Sequence, residues 1–323
     1  MNLEPVLLDP VGKDYLWGGS RLKTEYGKKL TLEPLAETWE CSAHPDGPSR
    51  IASGTFRGRS LREVLNEHPQ WMGSKVPEGA GFPVLVKLID AKQNLSVQVH
   101  PDDAYAWKEE CDNGKTEMWY VLDAEPGASL ACGFSHEVTK HQVRKAIEEG
   151  NLTRYLNRKQ VNRGDIFFIP PGTVHAIGSG MVIAEIQQSS NVTYRVYDYD
   201  RVDKDGKRRE LHIEKALQVM NYRPGQDLRQ KPRHVRYYPG CSREILCRCQ
   251  YFETERIEVN LGFAFSVRET SFQILLCIEG EGGISTDPML RPLRFHKGEC
   301  IFLPAGLGRC HVIGTCELLK VRC

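Results

Sequence analysis

One short segment carries side chains that together could bind a cation. Between Asn94 and Asp102, apolar residues alternate with Ser96, Gln98 and His100, which is the two-residue period of a half-buried strand. The polar side chains therefore point to one face, where an amide and an imidazole two residues apart can hold a metal ion. Taken alone, the segment fits an edge strand at the surface equally well.

A second segment combines tight turns with a histidine. The run from Gly164 to Gly178 predicts a strand, a turn and another strand, with the spacing Gly-x5-Pro-x-Gly-x2-His that ends at His175. A similar pattern recurs from Gly298 to Gly314, so we predict two copies of one β-unit. The first copy resembles the second motif of the cupin family. That resemblance implies a small jelly-roll barrel with His175 directed into its interior.

The two copies differ in their potential metal ligands. The first copy offers Gln98, His100, Glu117 and His175. Two histidines and a carboxylate that leave one position open are typical of catalytic zinc, although the added amide is less usual. The second copy has no Gln-x-His pair, and its position corresponding to Glu117 falls near Phe272. We therefore predict a metal site in the first barrel and a structural role for the second.

Lys87 lies inside the strongly apolar run 82–90, which predicts a buried strand. A buried lysine needs a partner, because an isolated charge is costly to remove from water. Two interpretations remain open: a side chain whose ammonium reaches the edge of the protein, or a cation that faces an anionic ligand.

The bulk composition favours a soluble globular protein. The 323 residues suffice for one large or two ordinary domains, and 43 Lys and Arg nearly balance 42 Asp and Glu. This balance gives no reason to expect a nucleic-acid or membrane partner. The N-terminal residues lack the pattern of a signal peptide, and the 11 cysteines are scattered. We expect a cytoplasmic protein with reduced thiols, several of them in the core.

These patterns predict a mainly β protein with helical insertions, built from two cupin-type jelly-roll β-barrels. We place a catalytic, metal-binding domain at residues 1–225 and a metal-free cupin-like β domain at residues 226–323. The helical insertions of the first domain are expected at about 58–72, 101–112, 134–157 and 210–221. Ser60 with Glu63 predicts a capping box at the first of them.

The chain also resembles a known enzyme family along most of its length. It is similar to the short bacterial form of the type I mannose-6-phosphate isomerases, which are zinc-dependent cupin enzymes. The motifs that carry the resemblance are Tyr15-Leu-Trp-Gly-Gly19, Glu37-Thr-Trp-Glu40, Leu95-Ser-Val-Gln-Val-His-Pro-Asp102, Gly114-Lys-Thr-Glu117, Pro170-Pro-Gly-Thr-Val-His-Ala176, Thr193-Tyr-Arg-Val-Tyr-Asp198 and His212-Ile-Glu-Lys-Ala216. Thr116 departs from the pattern of long-form relatives, which have proline there, and the large helical insertion of those relatives is missing.

The resemblance implies a set of site residues. One zinc ion per chain would be bound by the four predicted ligands, and Arg195 would be the active-site arginine. The implied reaction is the reversible isomerisation of mannose 6-phosphate to fructose 6-phosphate through an enediolate. Arginine stays protonated, so we assign Arg195 to the enediolate or the phosphate.

The remaining roles are hypotheses. Lys115 is a candidate for proton transfer, because a zinc ion beside it would favour the uncharged amine by charge repulsion. A phosphate-binding or solvated Lys115 is an open alternative. Lys87 and Ser96 could bind the 6-phosphate. Trp17 could form a wall of the sugar site, or it could be an ordinary core residue.

Two other functions compete with the isomerase. One is a non-catalytic sugar-binding or regulatory cupin, although a binding module has little need of both Arg195 and Lys115 beside its metal. The other is an iron-dependent cupin oxygenase, to which a ligand such as Gln98 would be unhelpful. As partner we expect a small-molecule sugar phosphate and neither nucleic acid nor membrane, with a monomer or weak homo-oligomer as the assembly.

Overall fold

The computed structural model describes residues 3–202, 205–225, 227–231, 234–286 and 291–323. The described helices are α1 (Arg21–Thr24), α2 (Leu61–Glu67), α3 (Asp103–Glu110), α4 (Lys140–Glu148) and α5 (Ile213–Val219), with 3-10 turns at Pro69–Met72 and Leu152–Tyr155. Within these ranges, every helix is too short or too polar to cross a lipid bilayer.

Strands dominate the described chain. In order they are β1 (Val6–Asp9), β2 (Val11–Lys13), β3 (Glu37–Cys41), β4 (Arg50–Ile51), β5 (Val84–Ala91), β6 (Val97–Val99), β7 (Glu117–Ala124), β8 (Ser129–Phe134), β9 (Leu156–Gln160), β10 (Ile166–Ile169), β11 (His175–Ile177), β12 (Met181–Gln188), β13 (Tyr194–Tyr197), β14 (Arg236–Tyr238), β15 (Cys241–Arg248), β16 (Glu253–Val259), β17 (Gly262–Val267), β18 (Gln273–Thr286), β19 (Leu293–His296), β20 (Cys300–Leu303) and β21 (Gly308–Arg322). The predicted mainly β class is therefore confirmed.

The first part of the chain forms two antiparallel sheets that pack face to face. One sheet has the strand order β10-β7-β12-β5-β3-β2, and the other has the order β13-β6-β11-β8-β9. An apolar core fills the space between them, with Trp119 and Ile183 from the first sheet and Leu130 and Ile177 from the second. This core holds β6 and β11 opposite β7.

The expected closed barrels are not observed. Among the described strands, hydrogen bonding ends at β10 and β2 in one sheet and at β13 and β9 in the other. The two sheets are joined by side-chain packing instead of by a continuous ladder. The result is an open sandwich with jelly-roll character.

The third sheet has ten strands and includes both ends of the chain. Its order is β14-β15-β16-β21-β18-β20-β1-β4, with β17 on β21 and β19 on β18. Strand β1 pairs with β20, so that Val6 lies opposite Phe302. The N-terminal strand is thus hydrogen-bonded to the C-terminal sheet. The division at 225/226 stays a prediction, and residue 226 lies outside the described residues.

Helices occur in all four predicted insertions. The capping box at the start of α2 is confirmed, because Ser60 and Glu63 each accept the other's backbone N–H. Between 134 and 157, however, helix α4 is followed by a 3-10 turn, and Phe134 and Leu156 belong to strands. All 11 cysteines are free thiols, and Cys41 and Cys300 are among the fully buried ones.

Candidate functional site

Strand register brings the predicted ligands together between the two facing sheets. Gln98 in β6 lies directly opposite His175 in β11, and Glu117 begins β7 in the other sheet. His100 follows β6, where Gly172 donates its N–H to the His100 carbonyl at 2.8 Å. Gly172 can form this tight turn because its φ of 80° is unstrained for glycine.

Three of these side chains form a compact, buried cluster. Ligand atoms of His100, Glu117 and His175 all lie within 4.8 Å of one another. Each side chain is at most 1 % exposed. Within the described part of the chain, no other group of three or more His, Cys, Asp or Glu residues could hold a metal ion by this criterion.

Backbone carbonyls fix the orientation of both imidazole rings. His100 Nδ1 lies 2.8 Å from the Val192 carbonyl, and His175 Nδ1 lies 2.9 Å from the Thr173 carbonyl. Because a carbonyl only accepts hydrogen bonds, each Nδ1 carries the proton. Each Nε2 therefore directs its lone pair into the cluster, which is the usual arrangement of metal-binding histidines.

Glu117 supplies a buried carboxylate with one unsatisfied oxygen. Its Oε2 accepts a hydrogen bond from Trp119 Nε1 at 3.0 Å. Its Oε1 lies 2.9 Å from His100 Nε2 and 2.6 Å from Lys115 Nζ, but neither approach has hydrogen-bond geometry. Lys115 Nζ donates to His100 Nε2 at 3.2 Å, so Glu117 Oε1 is the acceptor left without a hydrogen bond, and a metal ion bound by both atoms would satisfy it.

The protonation states of the cluster suit a metal. Burial and the neighbouring Lys115 lower the pKa of His100 to about 3, and burial also lowers the pKa of His175. Burial opposes ionisation of Glu117, yet Lys115 and His100 hold the pKa of this carboxyl well below its usual value. Neutral imidazoles and an ionised carboxylate are the forms that bind metal ions. Their N and O donors fit zinc, so the residues present fit the implied group.

Gln98 lies at the edge of the cluster. Its Nε2 is 3.4 Å from His175 Nε2, and its Oε1 accepts a hydrogen bond from Ser96 Oγ at 3.3 Å. The amide oxygen and nitrogen exchange places by a half-turn of the amide group. That turn would direct the oxygen towards the imidazole lone pairs.

A cavity of about 650 Å³ opens beside the cluster. Every other residue that the sequence proposed for the site lines it, namely Trp17, Lys87, Ser96, Gln98, Lys115 and Arg195. Trp17 is 3 % exposed and stacks on Tyr15 with 5.6 Å between ring centroids. These aromatic rings give the cavity an apolar wall.

Lys87 is balanced by two carboxylates that the sequence interpretation missed. Its Nζ lies 3.3 Å from Glu185 Oε1 and 3.6 Å from Glu37 Oε2, and all three side chains line the cavity. Burial disfavours the charged lysine, but Glu37 and Glu185 raise the pKa of Lys87 above its usual value. Glu185 lies directly opposite Lys87 across β12 and β5. The sequence offered one indication of this pairing, because Glu185 is a carboxylate within the apolar run of β12.

Arg195 belongs to a row of side chains across three strands. It lies opposite Gln98 in β6, which in turn lies opposite His175 in β11. Arg195 Nε donates to Ser96 Oγ at 3.3 Å, and its Nη1 donates to the Glu210 carbonyl at 2.9 Å. Adjacent strands are about 4.8 Å apart, so the backbone of Arg195 lies one strand spacing away from that of Gln98.

Comparisons with known proteins agree on one family. Residues 6–132 match the model of the phosphomannose isomerase type I catalytic domain, and residues 243–323 match that of the mannose-6-phosphate isomerase cupin domain. The chain is 37% identical over 320 residues to mannose-6-phosphate isomerase ManA of Bacillus subtilis, covering 99% of both chains. It is 35% identical over 317 residues to the mannose-6-phosphate isomerase of Streptococcus mutans, covering 98% of this chain and 97% of the relative.

A solved structure supports the same relationship. The crystal structure of the mannose 6-phosphate isomerase from Bacillus subtilis superposes with a TM-score of 0.90 at 34% identity. The alignment covers 98% of this chain and 99% of that chain. Sequence similarity and fold therefore agree over nearly the full length, and the chain belongs to the type I mannose-6-phosphate isomerase family and is an isomerase.

Proposed function

We propose that this protein interconverts mannose 6-phosphate and fructose 6-phosphate with the help of one zinc ion per chain. The observation that carries the proposal is the unsatisfied Oε1 of Glu117, which lies 2.9 Å from His100 Nε2 and next to Lys115, a residue of the cavity wall. Membership of an isomerase family gives the reaction class. The cavity offers both cations and hydrogen-bonding groups for a sugar phosphate.

The metal would be bound by His100, Glu117 and His175, with Gln98 as the fourth ligand through its amide oxygen. A zinc ion in this position supplies a Lewis acid that polarises the substrate carbonyl and stabilises negative charge on O1 and O2. The backbone carbonyls behind both imidazoles keep their Nε2 atoms directed into the site.

Lys115 is the proposed proton carrier. Its Nζ lies 3.2 Å from His100 Nε2 and 2.6 Å from Glu117 Oε1, and Lys115 also lines the cavity. Lys115 therefore contacts both the metal ligands and the space that a substrate would occupy. Aldose–ketose isomerisation needs a base that removes the C2 proton and returns a proton at C1, while O2 loses its hydroxyl proton and O1 gains one. Lys115 Nζ can act on both carbons, because they are adjacent in the substrate.

Other cavity residues bind and orient the sugar. Arg195 carries a permanent charge one strand away from Gln98 and would bind the anionic phosphate group of the substrate. Trp17 and Tyr15 would pack against the apolar face of the sugar. Ser96 and Lys87 would donate hydrogen bonds to its oxygen atoms.

An isomerase assay tests the proposal. Purified protein given fructose 6-phosphate should form mannose 6-phosphate, detected by the proton NMR signal of its anomeric hydrogen. Glucose 6-phosphate, which differs in configuration at C2, serves as the comparison substrate. A folded, zinc-loaded protein that produces no mannose 6-phosphate would contradict the proposal and favour a sugar-binding module.

A further inference from the structure

The lysines that line the cavity are already balanced by carboxylates. Lys87 lies between Glu185 and Glu37, and Lys115 lies 2.6 Å from Glu117. Lys215 Nζ, at the cavity wall, lies 2.7 Å from Glu110 Oε1. Each lysine therefore offers little uncompensated charge to an anionic substrate group.

The arginines at one side of the cavity are different. Arg201 and Arg209 both bind Asp198, which is 6 % exposed. Burial, and after it the nearby charge of Arg209, lowers the pKa of Arg195. Among the described residues, no carboxylate lies within 4.0 Å of the Arg195 guanidinium. Asp198 and the cavity-lining Glu210 thus stand against three guanidinium groups, so positive charge is in excess on this side.

Arg209 is held in position at the cavity wall. Its Nε donates to Asp198 Oδ2 at 2.8 Å, and its Nη2 donates to Asp198 Oδ1 at 2.6 Å. This two-bond pairing fixes the plane of the guanidinium group. Arg209 and Arg195 both line the cavity. Arg201 donates to the Asn94 carbonyl at 2.7 Å and is not among the described lining residues.

The arginine pair lies to one side of the metal ligands. Arg195 is one strand away from Gln98, and its Nε contacts Ser96, which is two residues before Gln98 on the same strand face. Two residues along a strand span roughly 7 Å. The reacting carbons C1 and C2 lie at one end of the six-carbon substrate and the phosphate at the other. A substrate that places C1 and C2 at the ligand cluster can therefore direct its phosphate to the arginines.

We propose that Arg209, together with Arg195, binds the phosphate group of the sugar phosphate and so selects phosphorylated sugars. This inference rests on the proposed function. A phosphate monoester carries a charge of about −1.5 to −2 at neutral pH, which matches the excess positive charge of the cluster. Because Nε and Nη2 of Arg209 bind Asp198, Arg209 would offer its Nη1 to a phosphate oxygen, beside the guanidinium of Arg195. Ser96 keeps its predicted role as a hydrogen-bond donor to the phosphate. Lys87 is not part of this phosphate site.

The test compares Arg209→Gln with Arg208→Gln. Arg208 is the neighbouring residue with the same charge, its side chain is 67% exposed, and it pairs with Asp200. Arg209→Gln should raise the KM for mannose 6-phosphate by about 10- to 100-fold and change kcat much less, because it removes a charge-assisted contact. Arg208→Gln should change KM less than about twofold. Arg209→Lys retains the positive charge but not the planar guanidinium group, so its KM should lie between those of the two glutamine variants.

Titration calorimetry supplies a readout that does not depend on turnover. Arg209→Gln should weaken the binding of inorganic phosphate and fructose 6-phosphate by the same factor and leave the affinity for fructose unchanged. An equal loss of fructose affinity would show a structural role and overturn the inference, as would a KM equal to that of Arg208→Gln. If the unaltered protein binds phosphate through Arg209 but does not turn over mannose 6-phosphate, the proposed function fails and the phosphate site stands.

Discussion

Replacing His100 with alanine is expected to remove the bound zinc and all measurable isomerase turnover while the fold is retained. The substitution deletes one of the imidazole lone pairs and removes the Nε2 atom that faces Glu117 Oε1. His100 is 1 % exposed and follows the short strand β6, so its loss leaves a local cavity and does not remove an element of the sandwich. Metal analysis and the isomerase assay measure the two losses, and circular dichroism checks the fold.

His141→Ala is the matched control. His141 lies in α4 on an exposed position, away from the described cavity lining, so zinc content and turnover should equal those of the unaltered protein. A His100→Ala variant that binds one equivalent of zinc at full activity would remove His100 from the ligand set.

Replacing Lys115 with methionine is expected to lower kcat by about 10²- to 10⁴-fold, the usual contribution of a positioned general acid–base. The zinc should stay bound, because the variant keeps all four proposed ligands and changes only the side chain next to Glu117 Oε1. In deuterium oxide, mass spectrometry should show that deuterium incorporation into the substrate slows by the same factor. That agreement would tie the loss to proton transfer.

Lys108→Met provides the comparison for this experiment. Lys108 is an exposed lysine of α3 that pairs with Glu109, so its replacement should leave kcat unchanged. If Lys115→Met keeps kcat within about twofold of the unaltered protein, another residue carries the proton. Glu185, beside Lys87 in the cavity wall, would then be the next group to test.

Local sequence patterns sufficed to select Gln98, His100 and His175, whereas the motif that contains Glu117 came from the family resemblance. The strand alternation that presents Gln98 and His100 and the glycine turn before His175 both depend on neighbouring residues only. The predicted convergence of His100, Glu117 and His175 also needed the folded domain, which the cupin resemblance implied as a jelly-roll barrel. The structure brings these three side chains within 4.8 Å of one another.

The partners of these residues were less accessible to sequence analysis. Lys87 was recognised as a buried charge, but its pairing with Glu185 depends on the register between β5 and β12, two strands that are distant in sequence. Arg209 follows a polar turn where neither a period nor a motif indicates a role. Its position at the cavity follows from the bonds to Asp198, which only the folded chain shows. Sequence analysis also could not predict an open sandwich instead of closed barrels, because the pairing of strands at sheet edges is a tertiary property.

The most direct test of the account is the rate of conversion of mannose 6-phosphate to fructose 6-phosphate before chelation, after chelation and after zinc is added back. We predict that removing the metal abolishes turnover and that one equivalent of zinc per chain restores it. His100→Ala should not recover under the same treatment, which assigns the effect to the buried cluster. Full turnover by protein shown to be free of metal would contradict the central claim that a zinc ion at His100, Glu117 and His175 supports the reaction.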